Sequence, residues 1–542
     1  MKYVTVDEMR TIDRESDKHG QTFAMLMDCA GKGVAEIVNQ KYGSLTEKRV
    51  LGIVGAGHNG GDTVVACSYL LEWGWKATIY IVLPRPEDDP LITKFKSLGG
   101  QCIKVDEDPE YQKLNDLISS RPILLDGVLG TGVHLPLRGN IPDILGRIRE
   151  NVIDKDIHVV AIDCPSGVDC DTGDAAEECI PAEITATMAA IKQGLLRFPA
   201  YNYVGEIQVV DIGVPKGLAA YDSIRREVVD CEMVKRCLPE RPLNAHKGTF
   251  GTALVVAGST NYTGAALLAS EAAYRIGAGL VTAAVPASIH IALAGSLPEA
   301  TWILLPHEMG VINSDAVKVI NENIDRVTAM LFGPGFGMDD ATAEFVSRLV
   351  DPNGGRQQAG LGFLPTHDES SRVKKVSLPP LVIDADGLKL LARVPQWYKR
   401  IPSLSILTPH PGEMAVLTGM KVEDIQADRV HTAEKYAHEW GHIVVLKGAH
   451  TVIASPDGHT AVIPIASPAL ARAGTGDVLA GLIVGLRAQG VDAFHSSIAG
   501  VWIHAQAGLR AAMRLGSTAA VLAGDVLGSV VDVLGDLEIK RT

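Results

Sequence analysis

Paired cysteines are missing from this chain. All eight cysteines (Cys29, Cys67, Cys102, Cys164, Cys170, Cys179, Cys231 and Cys237) lie in the first half. None forms a Cys-x-x-Cys pair or a Cys/His cluster, which excludes a zinc-ligand framework. They read as reduced thiols, as expected of a cytoplasmic protein. Long apolar runs are also lacking. The most apolar stretch, 264–297, is broken by Glu271 and Arg275, so no membrane span is expected. The segment Met1-Lys2-Tyr3-Val4-Thr5-Val6-Asp7-Glu8 holds no apolar core of signal-peptide length. Positive charge is in short supply: 50 Lys and Arg against 64 Asp and Glu leave a net charge of −14. That balance argues against a nucleic-acid surface, because phosphate contacts need clustered cations. What remains is a chain of 542 residues, 46% hydrophobic and 21% charged. It has a globular composition and is too long for one core, so two or more domains are expected.

Short β-branched runs recur at 49–54, 76–83, 101–105, 123–126, 158–163, 184–187 and 207–211, with helical patterns between the earlier ones. Such alternation is the signature of parallel βαβ units in a doubly wound sheet. Two amphipathic stretches, 6–19 and 23–42, precede them and are expected to pack on that sheet. A second alternation occupies 252–257, 280–285, 328–332, 381–383, 405–408 and 443–446. A hairpin follows, 451–454 with 460–463, around Ser455-Pro456-Asp457-Gly458. The expected fold class is α/β, with two doubly wound domains at 1–221 and 244–542. Residues 222–243, of mixed charge and without a strand run, read as their linker. Residues 351–380 are polar, rich in Gly, Pro and Ser, and read as a lid or a loose surface insertion.

Two glycine loops, each closed by an aspartate, carry the chemistry. The first is Gly55-Ala56-Gly57-His58-Asn59-Gly60-Gly61-Asp62, directly after a strand. The second is Ala473-Gly474-Thr475-Gly476-Asp477, opening an apolar helix. Glycines between strand and helix let a phosphate approach the free N–H groups of the helix N-terminus. The first loop matches a dinucleotide fingerprint only weakly. The next strand ends Val82-Leu83-Pro84-Arg85, with no acid for a ribose hydroxyl, and Asp62 would repel a pyrophosphate. Asp62 is expected to cap the helix or contact a sugar hydroxyl. Two further strands end in Asp126 and Asp163, which should point into one crevice with Asn59 beyond the carboxyl ends of the sheet.

These residues resemble the NAD(P)H-hydrate epimerase domain. The likeness rests on the loop from Gly57 to Asp62, the 126–136 segment, Ala161-Ile162-Asp163-Cys164-Pro165-Ser166-Gly167-Val168-Asp169 and Lys192-Gln193-Gly194-Leu195. It covers nearly all of residues 1–220 and implies a Rossmann-like domain. It further implies that Asn59, Asp126 and Ser166 bind a potassium ion. Asp163 would contact and act on the hydrated nicotinamide, with His58, Asn59, Gly60, Gly61 and Asp62 along one side. Gly130, Thr131, Gly132, Val133, His134, Leu135 and Pro136 would line the other. A hard monovalent cation suits the carboxylate, amide, hydroxyl and carbonyl oxygens these positions offer.

Gly474-x-Gly476-Asp477 at a helix start combines an anion hole with a carboxylate, a pair that phosphoryl transfer to a hydroxyl needs. Other segments accompany it at strand ends: Gly333-Pro334-Gly335-Phe336-Gly337, Asp384-Ala385-Asp386-Gly387, Thr408-Pro409-His410-Pro411-Gly412-Glu413 and Lys447-Gly448-Ala449-His450-Thr451. Together with His246-Lys247-Gly248 and Tyr262-Thr263-Gly264-Ala265, the set resembles the ADP-dependent NAD(P)H-hydrate dehydratase of the ribokinase-like superfamily. The resemblance implies substrate contacts at Ala265, Gly335, His410 and Asp477, with Asp477 as catalytic base. It places the nucleotide on Lys447, Gly448, Ala449, His450, Thr451 and Gly476, and links Glu413 to magnesium. The expected protein is a bifunctional repair enzyme for NADH and NADPH hydrates, with ADP as co-substrate, K+ and Mg2+ as metals, and a homo-oligomeric state. One rival reading is an NADP-dependent oxidoreductase joined to a small-molecule kinase, with Arg85 as its only 2′-phosphate partner. Another makes the first domain a non-catalytic binding module.

Overall fold

The computed structural model describes residues 1–155, 157–351 and 378–539. Two compact units result, Met1–Val228 and Val229–Thr542. Most of the expected insertion, 352–377, lies outside the described residues.

The first unit is built on strands β1 (Arg49–Val54), β2 (Lys76–Ile81), β3 (Gln101–Lys104), β4 (Ile123–Gly127), β5 (His158–Ile162), β6 (Ile184–Met188) and β7 (Glu206–Val210). Their order across the sheet is β3-β2-β1-β4-β5-β6-β7, and every pair is parallel. The order reverses at β1, so a crevice opens beyond the carboxyl ends of β1 and β4. Alternation along β1 explains why both faces are covered. Val50 and Val54 join a core with Met9, Ile12 and Val34. Leu51 and Ile53 join another with Ile141, Ile144 and Ile148. Helix α1 (Val6–Lys18) starts in a capping box: Glu8 N–H donates to Thr5 Oγ1 (3.2 Å) and Thr5 N–H donates to Glu8 Oε2 (2.8 Å). Helix α2 (Phe23–Tyr42) follows, and α3 (His58–Glu72) begins at the glycine loop with Gly57 as its N-cap.

The second unit has β8 (Thr252–Val256), β9 (Leu280–Pro286), β10 (Thr301–Leu305), β11 (Ala329–Phe332), β12 (Leu381–Ile383), β13 (Ile406–Leu407), β14 (Ile443–Leu446), β15 (Val452–Ala454) and β16 (Thr460–Val462). They lie in the order β16-β15-β14-β13-β12-β11-β8-β9-β10. All pairs are parallel except the antiparallel β14-β15-β16 end. Helix α4 (Thr263–Arg275) packs on α6 (Thr475–Ala488), which follows α5 (Pro411–Thr418) in the chain; α7 (Ala493–Leu515) comes next. The α4–α6 approach is so close that a Cβ on Gly481 would stand 2.3 Å from Ala269 O and 2.7 Å from Ala272 Cβ. This seam holds the N-termini of α4 and α6 together, and with them Ala265 and Asp477.

Two sequence readings need correction. Strand β10 was not expected; it forms the sheet edge, and its short apolar run, Trp302-Ile303-Leu304-Leu305, is only partly buried. The linker 222–243 is not structureless. It holds a strand at Arg226–Val228 and a helix at Cys231–Cys237 capped by Asp230, whose carboxylate accepts from Met233 N. Val234 and Cys237 are buried in the second unit's core, which is why the boundary falls at Val228. Two small pairs, Tyr3–Val4 with Ile191–Lys192 and His307–Glu308 with Val311–Ile312, were also not expected. Fold class and the other strands of the two main sheets agree with the sequence reading.

The glycine seam gives a direct test. Gly481→Ala should cost about 1–3 kcal/mol by overpacking. Thermal unfolding should show the midpoint of the second unit falling by several degrees.

Candidate functional site

In the first unit three of the expected residues meet at one point. Asp126, fully buried at the end of β4, lies 2.5 Å from Ser166 Oγ through Oδ1 and accepts from Ser166 N at 2.8 Å through Oδ2. Leu129 N donates to Ser166 Oγ (2.9 Å), and Asn59 Nδ2 donates to Leu129 O (2.7 Å). Asn59 Oδ1 is buried and accepts nothing. Burial pushes the Asp126 carboxyl up, against the pull of the Ser166 and Val128 hydrogen bonds. Among the described residues no ammonium or guanidinium is hydrogen-bonded to Asp126. An orphaned amide oxygen beside a buried carboxyl with no cationic partner is a donor set that fits a hard monovalent cation.

Next to this cluster a cavity of about 950 Å³ opens, lined by His58, Asn59, Asp62, Gly130, Thr131, Gly132, Val133, Asp163 and Lys192, with Asp13 and Arg14 from α1. Asp163 sits at φ +64°, in the left-handed region, which turns its carboxyl off the end of β5. Its Oδ1 accepts from Met188 N (3.0 Å), Thr187 Oγ1 (3.2 Å) and the buried Lys192 ammonium. Lys192 also donates to Met188 O at 2.9 Å. Gly60, Gly61, His134, Leu135 and Pro136 are not in the cavity wall. Gly60 has a packing reason instead: a Cβ there would stand 2.1 Å from Gly55 O. Asp62 does not cap α3, whose N-cap Gly57 makes no side-chain bond. Its position in the helix's second turn is too late for capping, and the carboxyl is buried at the cavity instead. Arg85 is committed elsewhere. It pairs with Asp89 at 2.7 Å and donates to Gly55 O (2.9 Å) and Gly57 O (3.1 Å), bracing the glycine loop. The oxidoreductase reading loses its only 2′-phosphate partner.

In the second unit the strand-end segments converge on Lys447. Its ammonium lies 2.6 Å from Asp384 Oδ1 and 3.6 Å from Glu413 Oε2. Burial alone would pull Lys447 down; the two carboxylates more than reverse this and hold it charged. A Cβ on Gly476 would lie 3.7 Å from Lys447 Nζ and 3.8 Å from Asp384 Oδ2, so the α6 glycine loop faces this pair. Gly335, at φ +67°, touches the start of α4: a Cβ on it would stand 2.8 Å from Ala265 Cβ. His410 caps α5. Its Nδ1 accepts from Gly412 N (3.0 Å) and Glu413 N (3.3 Å), while Glu413 Oε2 accepts from His410 N (2.8 Å). A ring nitrogen that accepts here is unprotonated, and burial lowers the His410 pKa accordingly. Gly448 closes over the half-buried Arg429, whose guanidinium donates to Leu446 O at 2.9 Å. The turn is tied by Thr451 Oγ1 donating to Gly448 O at 3.0 Å. Asp477, in the first turn of α6, is raised to about 7 by burial first and then by Asp384.

Several residues were missed by the sequence reading. Asp13 looks like part of a solvent face of α1, and Lys192 like an ordinary cation after an apolar run. Asp384 was read only within a strand-end segment, and its ion pair with Lys447 was unforeseen. Arg429 gives no signal, because only tertiary packing brings its guanidinium against Gly448 and the Leu446 carbonyl. Neither does His504 on α7, fully buried against the Thr475 backbone and pulled to about 4 by burial.

Two parallel α/β units, each with buried carboxyls and a lysine beyond its strand ends, define an enzyme with two separate small-molecule sites. Comparison with known proteins makes this specific. Residues 23–194 match the family described as YjeF-related protein N-terminus, and residues 253–528 match the family described as NAD(P)H-hydrate dehydratase. The bifunctional NAD(P)H-hydrate repair enzyme of Moorella thermoacetica is 35% identical over 547 residues, covering 99% of this chain and 97% of its own. That of Salinibacter ruber is 34% identical over 540 residues, covering 95% and 92%. Among solved structures, an ADP/ATP-dependent NAD(P)H-hydrate dehydratase from Bacillus subtilis, co-crystallised with ATP and Mg2+, is 30% identical. It covers 57% of this chain and 98% of its own, with a TM-score of 0.46. The chain belongs to the family of bifunctional NAD(P)H-hydrate repair enzymes, as its motifs led one to expect.

The raised Asp477 carboxyl predicts a pH dependence of stability. Below its unfolded value of 3.8, the group is protonated in both states and costs nothing. Between 3.8 and about 7 the unfolded chain releases the proton while the folded one keeps it, so stability falls as pH rises and levels off above 7. The loss is at most about 4 kcal/mol, and less where water reaches the carboxyl. Asp477→Asn should therefore raise the melting temperature at pH 8 but hardly at pH 4; an equal effect at both would contradict the assignment.

Proposed function

We propose that the first unit, with residues 1–221, interconverts the R and S epimers of NADH and NADPH hydrates. The second, with residues 244–542, removes water from the S hydrate at the expense of ADP. What carries the first half is Asp163: a carboxylate turned off a strand end, held by Lys192 on the wall of a cavity of about 950 Å³. The hydrates carry a hydroxyl at C6, and Asp163 is the group placed to move its proton. Asn59, Asp126 and Ser166 would hold a potassium ion, which supplies fixed positive charge for the substrate's oxygens.

Hydroxide is a poor leaving group, so dehydration needs activation. Asp477 takes the proton from the C6 hydroxyl as the oxygen attacks the β-phosphoryl group of ADP, releasing AMP. The C6–O bond then breaks with inorganic phosphate leaving and the C5 proton lost, which restores NAD(P)H. The N–H groups at Gly474 and Gly476 meet the developing phosphoryl charge, and a base near neutrality is well matched to this step. Lys447, Gly448, Ala449, His450 and Thr451 would cradle the nucleotide over Arg429, with Ala265, Gly335 and His410 against the hydrate. Glu413 is engaged with His410 and Lys447. Magnesium would be held by the nucleotide phosphates with Glu413 as the linked carboxylate, and would neutralise their charge during transfer. A cytoplasmic homo-oligomer completes the reading.

Purified protein incubated with R hydrate alone should form S hydrate without ADP, and NAD(P)H only when ADP is added. Formation of NAD(P)H from the R form without prior epimerisation would overturn the division of labour. For the cation, KCl should raise the melting temperature relative to equal choline chloride, and Asp126→Ala should abolish that difference. Retention of the potassium effect in the variant would place the ion elsewhere.

A further inference from the structure

Asp62 is left over from the account above. It does not cap α3, it is 8% exposed, and its carboxyl makes no hydrogen bond among the described residues. With no partner in the surrounding protein, that carboxyl is left to face the cavity. Yet it lines the same cavity as Asp163, Asp13 and Lys192. We propose that the Asp62 side chain is the proton donor of the epimerase site, acting opposite Asp163 as acceptor. This rests on the epimerase reading.

Charge counting supports the assignment. Lys192 is the cation that acts on Asp62, and its ammonium sits on Asp163 Oδ1. Burial, then Asp163, then Asp13 push Asp62 well up, with only Lys192 pulling it down. Asp13 is itself raised to about 6, by burial before the pull of Lys192 and the push of Asp163, with His58 lowering it. That direction favours the protonated form of Asp62. Asp163 Oδ1 is spent on Lys192, Thr187 and Met188, while Oδ2 accepts no hydrogen bond among the described residues. One carboxyl of the cavity thus faces an ammonium and the other faces none, the asymmetry an acid–base pair requires.

C6 of the hydrate bears both an oxygen and N1, so it is a carbinolamine carbon. Asp163 takes the hydroxyl proton, a C6=O carbonyl forms, and the C6–N1 bond breaks with its electron pair moving to N1. Asp62 delivers its proton to N1. Rotation about C5–C6 presents the other carbonyl face. N1 then attacks C6 while returning its proton to Asp62, and Asp163 returns its proton to the oxygen. No atom or electron is gained or lost. Losing water instead would give the cation that collapses to NAD(P)H, which an epimerase must avoid.

The test uses the full chain. If wild type does not interconvert R and S hydrates, the epimerase reading fails and this assignment with it. If it does, Asp62→Asn should slow epimerisation by at least roughly 100-fold while leaving ADP-dependent dehydration of pure S hydrate unchanged. A loss under threefold would overturn the assignment. Wild-type kcat/KM for epimerisation should also fall on the alkaline side, where Asp62 loses its proton. Asp62→Glu keeps the acid and should move that limb, which guards against a misfolded amide variant; an unmoved limb would equally overturn the role. In 18O-water the product should keep its original oxygen, and label uptake matching the epimerisation rate would exclude the proton path above.

Discussion

In each unit one lysine at the strand ends must serve several carboxyl groups, and the rest of both sites follows from that shortage. Lys192 stands on Asp163 with Asp62 and Asp13 nearby. Lys447 stands on Asp384 and Glu413 with Asp477 nearby. One positive charge cannot compensate three negative ones where water is scarce. Each cluster therefore sorts itself into carboxylates that face the ammonium and carboxyls whose hold on a proton is raised. Under the roles proposed above, the proton transfers in both units fall to such carboxyl groups.

The scaffold makes the shortage possible. Parallel strands end in register, so side chains at their carboxyl ends converge from separate stretches of sequence: 59, 126 and 163 in one unit, 384, 413, 447 and 477 in the other. Both faces of each sheet are buried, so the strand ends cannot drift apart without exposing core residues. Arg85 and Arg429 do comparable work below the loops. One braces the first glycine loop through Gly55 and Gly57, and the other lies under the turn at Gly448. Arginine suits such places because its charge survives burial.

Much of this was legible in the sequence. The β-branched runs located nearly every strand of the sheets, because parallel strands buried on both faces need continuous apolar stretches. Asn59, Asp126, Asp163, Ser166, His410 and Asp477 stood out because polar groups at strand ends interrupt that pattern. Asp13 and Lys192 did not, since a charge on an amphipathic helix or after a short strand looks solvated until the fold buries it. Strand β10 escaped notice because a four-residue apolar run, Trp302-Ile303-Leu304-Leu305, cannot be assigned to a strand by periodicity alone. The committed state of Arg85 depends on a contact with Asp89 and two carbonyls that no spacing rule announces.

Asp163 occupies a left-handed backbone conformation that glycine would adopt without strain, and Ala385, next to Asp384, does the same at φ +53°. Each position carries a penalty of order 1 kcal/mol. A directed-evolution campaign scored only on heat tolerance would favour glycine at 385, where the change is confined to the main chain. At 163 glycine would relieve the strain but strip the buried Lys192 ammonium of its carboxylate, which is the larger loss. The same dihedral defect is thus open to repair at one position and locked in place by an ion pair at the other.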